Sequence, residues 1–366
     1  MTRKRKGCGA HPLTYLELHR AAVRFARFKK ISAAIFALGL CAGIASAQVL
    51  INAGGASFPE PIYSKWFNEF KKKTGAQINY QPQGSGFGIS AVTAGTVDFG
   101  ASDRPMTDDE IKAFHDKRKA NILAFPTVLG ANVAVYNIKG VTQSLNFTGP
   151  ALAGIFLGKI TKWNDPAIAN ENKGVNLPAD SIVVVHRTDG SGTTFVWTDY
   201  LTKVSPEWEK GPGRGQSVEF PVGLGGKGSE GVAGQVKQKL NSIGYVELTY
   251  AIQNKMTYAK VKNAAGVFSE PTLAAITAAA AGAAKTIPDD FRLSITNAPG
   301  KDSYPISTFT WLLIPDQFAD ANKKKAIIDF LKWALADGQN LAEPLYYAKL
   351  PKSIVDKEMK AIAKIQ

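Results

Sequence analysis

His186-Arg187-Thr188-Asp189-Gly190-Ser191-Gly192-Thr193-Thr194 joins the apolar run Ile182–Val185 to a helical pattern carried by Phe195, Trp197, Tyr200 and Leu201. A buried strand, a glycine-rich turn and an amphipathic helix in that order make one unit of an α/β fold. The turn holds one fixed cation, several small hydroxyls and two glycines. Glycine lets backbone N–H groups approach a ligand closely, and a helix N-terminus favours negative charge. Arg187 can direct two donors at an oxyanion. The stretch therefore reads both as a fold signal and as a site for a small anion.

Working outward, strand and helix signals alternate along the chain. Val49–Asn52 reads as a strand running into Ala53-Gly54-Gly55-Ala56-Ser57-Phe58. Pro59 and Pro61 then open a helix with Ile62, Trp66, Phe67 and Phe70 on one face, closed by Gly75. Ile78–Gln81 is strand-like and leads to Gly84-Ser85-Gly86-Phe87-Gly88 and a short helix. Thr96–Gly100 is strand-like and leads to Ala101-Ser102-Asp103. The patterns predict helices over Asp108–Ala120, Ala151–Trp163, Gly192–Thr202, Glu230–Leu240 and Lys323–Ala336. An alanine-rich, exposed helix is expected over Leu273–Ala284. Strands are expected over Val128–Asn137, Ile243–Leu248 and Phe309–Ile314. This alternation predicts α/β lobes with mostly parallel sheets flanked by helices. Three strand-to-loop junctions end in Gly/Ser/Asp-rich turns, two of them opening helices, and the carboxyl ends of strands are where open α/β sheets hold ligands.

The first 47 residues read as a leader. Arg24, Arg27, Lys29 and Lys30 precede an apolar run from Ile31 to Ala45, and Ala45-Ser46-Ala47 is a small-x-small cleavage signal. The run is shorter than the roughly 18–20 residues that span a bilayer, which argues against an anchor. Its basic region is long, which translation beginning near Val23 would explain. Both cysteines, Cys8 and Cys41, fall in the leader, so cleavage after Ala47 leaves no disulfide and no thiolate metal site. Leu40 is bulky where lipid attachment at Cys41 needs a small residue. The leader carries nine basic and one acidic residue, which leaves 35 basic and 29 acidic and lowers the net charge from +14 to +6. Lys71-Lys72-Lys73 and Lys323-Lys324-Lys325 read as solvated helix ends rather than a nucleic-acid footprint. The remaining chain is longer than one core usually holds, so two lobes are expected.

Ser57, Ser85, Ser191 and Thr193 are hydroxyls beside glycines or helix starts, each able to donate to an anionic oxygen. Singly, such residues are more commonly helix caps or turn residues; several of them with Arg187 in one chain favour a site. Asp103 is the informative misfit. A carboxylate beside an anion is repulsive unless the anion brings a proton to donate. Phosphate keeps a proton near neutral pH and sulfate does not, so Asp103 would select the former. Asp103 could instead cap the helix beginning near Thr107 or pair with Arg104.

These segments resemble those of the periplasmic phosphate-binding proteins of bacterial phosphate ABC transporters. The matching stretches run in order along the chain after the leader. They include Gly55-Ala56-Ser57-Phe58-Pro59, Gly84-Ser85, Val97-Asp98-Phe99-Gly100-Ala101-Ser102-Asp103, Phe125-Pro126-Thr127-Val128, Leu157-Gly158-Lys159-Ile160, Arg187 with Asp189-Gly190-Ser191-Gly192-Thr193, Gly223-Leu224-Gly225-Gly226-Lys227-Gly228 and Ile243-Gly244-Tyr245-Val246-Glu247. The resemblance implies a hinged, two-lobed binding protein, active as a monomer, that closes over dehydrated inorganic phosphate and passes it to membrane permease subunits. It implies Ser57, Phe58 through its N–H, Ser85, Asp103, Arg187, Ser191, Gly192 through its N–H, and Thr193 as phosphate ligands. It also implies two crossings between lobes, placed near Asn137 and Tyr304. Lobe one is then residues 48–136 plus 305–366, and lobe two residues 137–304. Arg104 follows Asp103 where many relatives have a neutral residue, and would either raise the local potential or compete for Asp103.

Other classes find less support. No serine has glycines at both −2 and +2, so the hydrolase elbow is missing. After the leader only His115 and His186 remain, too few for a histidine metal cluster. Gly223-x-Gly225-x-x-Gly228 matches a dinucleotide fingerprint, but Phe220-Pro221 argues against a strand before it. No cofactor, metal or nucleic-acid partner is expected. A receptor for another oxyanion or an organic phosphate is the alternative, and a phosphatase-like enzyme a more distant one.

Overall fold

The computed structural model describes residues 48–283 and 287–366. The leader, its cleavage after Ala47, both cysteines and a start near Val23 lie outside the described residues. Eight strands make one curled sheet: β1 (Leu50–Gly55), β2 (Gln77–Gln81), β3 (Phe99–Ser102), β4 (Ile122–Asn137), β5 (Val183–Arg187), β6 (Leu224–Gly226), β7 (Ser242–Glu247) and β8 (Ser307–Pro315). Their spatial order is β2-β1-β3-β8-β4-β7-β5-β6, with the short strand Thr257–Tyr258 beside β4. The helices used below are α1 (Glu60–Thr74), α2 (Ser85–Ala94), α3 (Asp108–Arg118), α4 (Gly149–Phe156), α5 (Gly192–Val204), α6 (Gly228–Gln238), α7 (Leu273–Ala283), α8 (Ala321–Ala334) and α9 (Lys352–Ala361).

Local chemistry sets these bounds. In α1, Pro61 sits in the first turn and Gly75 closes the helix at φ 79°, its N–H donating to Lys71 O at 2.8 Å. The 3.6-residue spacing of Ile62, Trp66 and Phe70 buries one stripe, which packs with Phe330 of α8. Around β7, Trp197 stacks on Tyr245 at 5.0 Å and Phe156 leans on both. Each half of the sheet thus has its own aromatic core.

The halves meet in β4. Its residues Ile122–Ala131 pair with β8, and Asn132–Asn137 pair with β7. The partner change falls at Ala131/Asn132, earlier than the crossing expected near Asn137. The run reads as one uninterrupted strand because both stretches are buried, so nothing in the sequence marks the point of change. Parallel pairing is confined to the outer strands, β2-β1-β3 and β7-β5-β6. The long inner strands β8 and β4 run antiparallel to their neighbours, so the sheet is mixed rather than mostly parallel.

Two helices differ from expectation. The helix predicted over Ala151–Trp163 stops at Phe156, because Gly158 turns left-handed at φ 71° and a side chain there would press on Val222. The alanine-rich α7 is not an exposed helix, since Ala275, Ile276, Ala279 and Ala280 are buried.

Candidate functional site

Five strand-to-helix turns converge where the two halves of the sheet touch. From the first half come the β1–α1 turn, the start of α2 and the residue after β3; from the second come the starts of α5 and α6. Three tyrosines fix the first turn, Tyr250 and Tyr347 buried and Tyr80 half-buried. Tyr80 donates to Ala56 O at 2.6 Å, Tyr250 to Ser57 O at 2.8 Å and Tyr347 to Phe58 O at 2.7 Å. With its carbonyls held by these donors, the turn is set rigidly around Ser57 and Phe58. Close packing of α2 against β1 and β3 requires Gly88, where a Cβ would meet Gly55 Cα at 2.8 Å.

At the start of α5 the N–H groups of the first turn have no partners within the helix. The Ser191 hydroxyl accepts from Thr194 N at 3.0 Å, so Ser191 is the N-cap. Its own hydrogen stays available for donation, so capping and anion binding are compatible at this residue. Gly192 and Thr193 keep their N–H groups at the positive end of a helix of 13 residues. Gly192 lies against Asp103: a Cβ there would fall 2.7 Å from Asp103 Cβ and 2.8 Å from Oδ2.

Asp103 is 1% exposed. Its Oδ1 accepts from the Thr310 hydroxyl at 2.8 Å and its N–H donates to Ser85 Oγ at 3.0 Å. Both alternatives raised for it are taken by other residues. Thr107 caps α3 itself in a reciprocal box with Glu110. Arg104 forms a two-pronged ion pair with Glu110, at 2.8 and 2.5 Å, and therefore does not compete for Asp103. Desolvation pushes the Asp103 carboxyl up to about 7, against the opposing pull of Thr310, Arg187 and Ser85.

Arg187 is buried at the end of β5. Its Nε donates to Asp189 Oδ1 at 2.8 Å, and Nη2 pairs with Asp189 Oδ2. Burial alone would raise Asp189, but its bonds to Arg187 and the Gly228 N–H hold it below the usual carboxylate range. One edge of the guanidinium is thus committed to Asp189, and the Nη1 side is left for a ligand. Nη1 lies 3.4 Å from both Thr193 Oγ1 and Ser229 Oγ.

All eight residues expected to bind phosphate fall in this one region, four from each half of the sheet. Three neighbours were not expected. Ser229, in the first turn of α6, is 3.0 Å from Ser57 Oγ. Its signal was the Gly-rich stretch before it, which forms a short strand and helix start in spite of Pro221. Asp189 lay in the decisive stretch but was not assigned a partner. Thr310 sits in an apolar strand and carried no sequence signal. Among the described residues no three His, Cys, Asp or Glu are grouped to hold a metal, and no helix is long and apolar enough to cross a membrane.

A family model for the PBP superfamily domain matches residues 42–337. The phosphate-binding protein PstS of Xylella fastidiosa strain Temecula1 is 47% identical over 309 residues, covering 84% of this chain and 83% of that protein. The chain belongs to the PstS family of the PBP superfamily. PstS of Pasteurella multocida is 46% identical over 308 residues, covering 84% and 88%. A solved structure described as a high affinity periplasmic phosphate-binding protein, PfluDING, bound with phosphate, superposes with a TM-score of 0.67. It is 21% identical and covers 85% of this chain and 93% of that one. This chain therefore has the two-lobed fold of these proteins.

Proposed function

We propose that this chain binds inorganic phosphate between its two lobes and delivers it to the membrane subunits of an ABC importer. The observation that carries the reading is Asp103, an acceptor buried inside a ring of donors. The Arg187 guanidinium, the hydroxyls of Ser57, Ser85, Ser191 and Thr193, and the N–H groups of Phe58 and Gly192 can donate to anionic oxygens. Asp103 can accept the hydrogen that phosphate retains. Lobe one is taken as residues 48–131 with the chain after Tyr304, following the partner change in β4. A ligand held by both lobes favours the closed form by its extra contacts there.

The leader reading, with its Ala45-Ser46-Ala47 cleavage signal, supports export to the periplasm. A monomer is expected, with transport rather than catalysis as the role. Arsenate, which shares phosphate's shape and protons, is expected to bind too. The test is titration calorimetry on protein unfolded and refolded to strip bound anion. Tight one-to-one binding of phosphate with no sulfate heat supports the reading, and binding of neither anion overturns it. Asp103→Asn is expected to bring the two anions within about tenfold of each other, since an amide donates to either. Unchanged discrimination in that variant would remove Asp103 from the selective role.

A further inference from the structure

Asp103 is held from behind by a device that begins in the sheet. β8 and β4 fall out of step at one place: Thr310 pairs with Val128 but Trp311 pairs with Pro126, which leaves Thr127 as an extra residue on β4. Bulges of this kind bend a strand and re-aim its side chains, and they recur beside functional sites. Here Thr127 Oγ1 donates to Thr310 O at 3.1 Å, and Tyr63 OH lies 2.8 Å from the same oxygen. Since the Thr127 hydrogen is used on Thr310 O, Tyr63 is the donor to Thr127. Gln339 Nε2 donates to Thr127 O at 2.8 Å. Tyr63, Thr127, Thr310 and Asp103 are all buried.

The Thr310 hydroxyl then has one hydrogen and two acceptors in reach, Asp103 Oδ1 at 2.8 Å and Ser102 O at 3.5 Å. The shorter bond holds Oδ1 as a permanent acceptor. The carbonyl oxygen of a protonated carboxyl is its better acceptor, so this bond favours the proton on Oδ2, which faces Gly192 and has only the longer 3.4 Å contact from Ser85 Oγ. Other ionisable groups near Asp103 do not substitute for this control. Arg187 favours the ionised form but is paired with Asp189. Tyr63 and Tyr80 are kept neutral by burial.

We propose that Thr310, set by the Thr127 bulge, is a specificity-determining positioning residue that restricts proton exchange with the bound anion to Asp103 Oδ2. This rests on the phosphate reading above. It assigns to a residue outside the expected ligand set the rejection of tetrahedral anions that carry no proton. Removing the donor frees Oδ1 and makes the carboxyl easier to protonate, so sulfate gains a hydrogen-bond donor while phosphate loses a well-placed acceptor.

The experiment compares the unaltered protein with Thr310→Val and Thr310→Ser, measuring phosphate and sulfate affinity across the Asp103 transition near pH 7. Thr310→Val keeps the shape and loses the hydroxyl. It is expected to weaken phosphate by about tenfold or more and to carry sulfate binding to higher pH, while Thr310→Ser restores both. A role in shape alone would weaken both anions alike and leave the pH profile in place. Tyr63→Phe, farther from the ligand, is expected to shift the profile less and in the same direction, and reads the device if Thr310→Val does not fold. Unaltered discrimination and pH profile in Thr310→Val and Tyr63→Phe overturn the inference alone. Equal binding of phosphate and sulfate by the unaltered protein overturns it together with the selective role of Asp103.

Discussion

In the reading proposed above, Asp103 is where burial is turned into selectivity. Burial costs the ionised form its hydration, and the carboxyl is pushed up to about 7. Above that value the free protein presents an acceptor, which matches an anion bringing its own proton. Below it, Asp103 carries the proton and can donate to an anion that has none. Sulfate binding is therefore coupled to uptake of one proton. Its affinity is expected to fall about tenfold per pH unit above about 7 and to level off below, while phosphate shows no such fall. Sulfate titrations on either side of neutrality measure this slope, and a flat sulfate profile contradicts it. The residue scale is also where the sequence was most legible. Arg187, Ser191, Gly192 and Thr193 fall on one turn, so short-range pattern brought them together. Thr310 and Ser229 reach the site only through strand pairing and a second turn, which no local pattern encodes.

At the scale of elements, α9 holds an anomaly that packing alone does not explain. Ile354, Glu358 and Ile362 recur every four residues on its buried face, which continues into the last turn of the chain. Glu358 is 0% exposed and neither carboxyl oxygen has a hydrogen-bond partner. Desolvation holds it well above the usual carboxylate range, so folding favours its neutral form. The sign follows from linkage. A carboxyl raised in the folded state adds stability that is complete at acid pH. That stability is lost as pH rises from the ordinary carboxylate range toward the raised value. Melting temperature is expected to fall over that interval, and Glu358→Gln to flatten the dependence; parallel profiles for the two proteins would contradict this. Helices such as α1 and α8 were legible because large apolar residues mark their buried stripe. The alanine-rich α7 was misread as exposed because alanine suits both a buried and an exposed face. The helix after Gly149 was drawn too long because the apolar run outlasted it, past the left-handed turn at Gly158, where Val222 leaves no room for a side chain.

At the scale of the whole molecule, length and alternation made two lobes legible, but not the contacts that join them. Those contacts pair residues far apart in sequence, across the junction in β4. Gly86 N–H donates to Gly190 O at 2.8 Å, Ser57 meets Ser229 at 3.0 Å, and Arg104 Nε donates to Gln216 Oε1 at 3.1 Å. Arg104 is braced on its own side by Glu110, and its guanidinium lies 6.0 Å from the Phe195 ring of α5. Gln216 also accepts Ser191 N–H through its backbone, so this contact touches the start of α5. In the proposed hinged reading, such bonds form only with the lobes together and favour closure. Gln216→Ala removes one of them, leaves that backbone carbonyl in place, and spares Arg104 its loss of Glu110. Phosphate release is expected to quicken by about 10- to 100-fold, in proportion to one hydrogen bond to a charged group. The ratio of phosphate to sulfate affinity is expected to hold, because Asp103 and Thr310 lie within one lobe. Stopped-flow release kinetics with parallel sulfate titration separate the two effects: an unchanged release rate removes this contact from closure, and a changed anion ratio means that closure and selectivity are not independent.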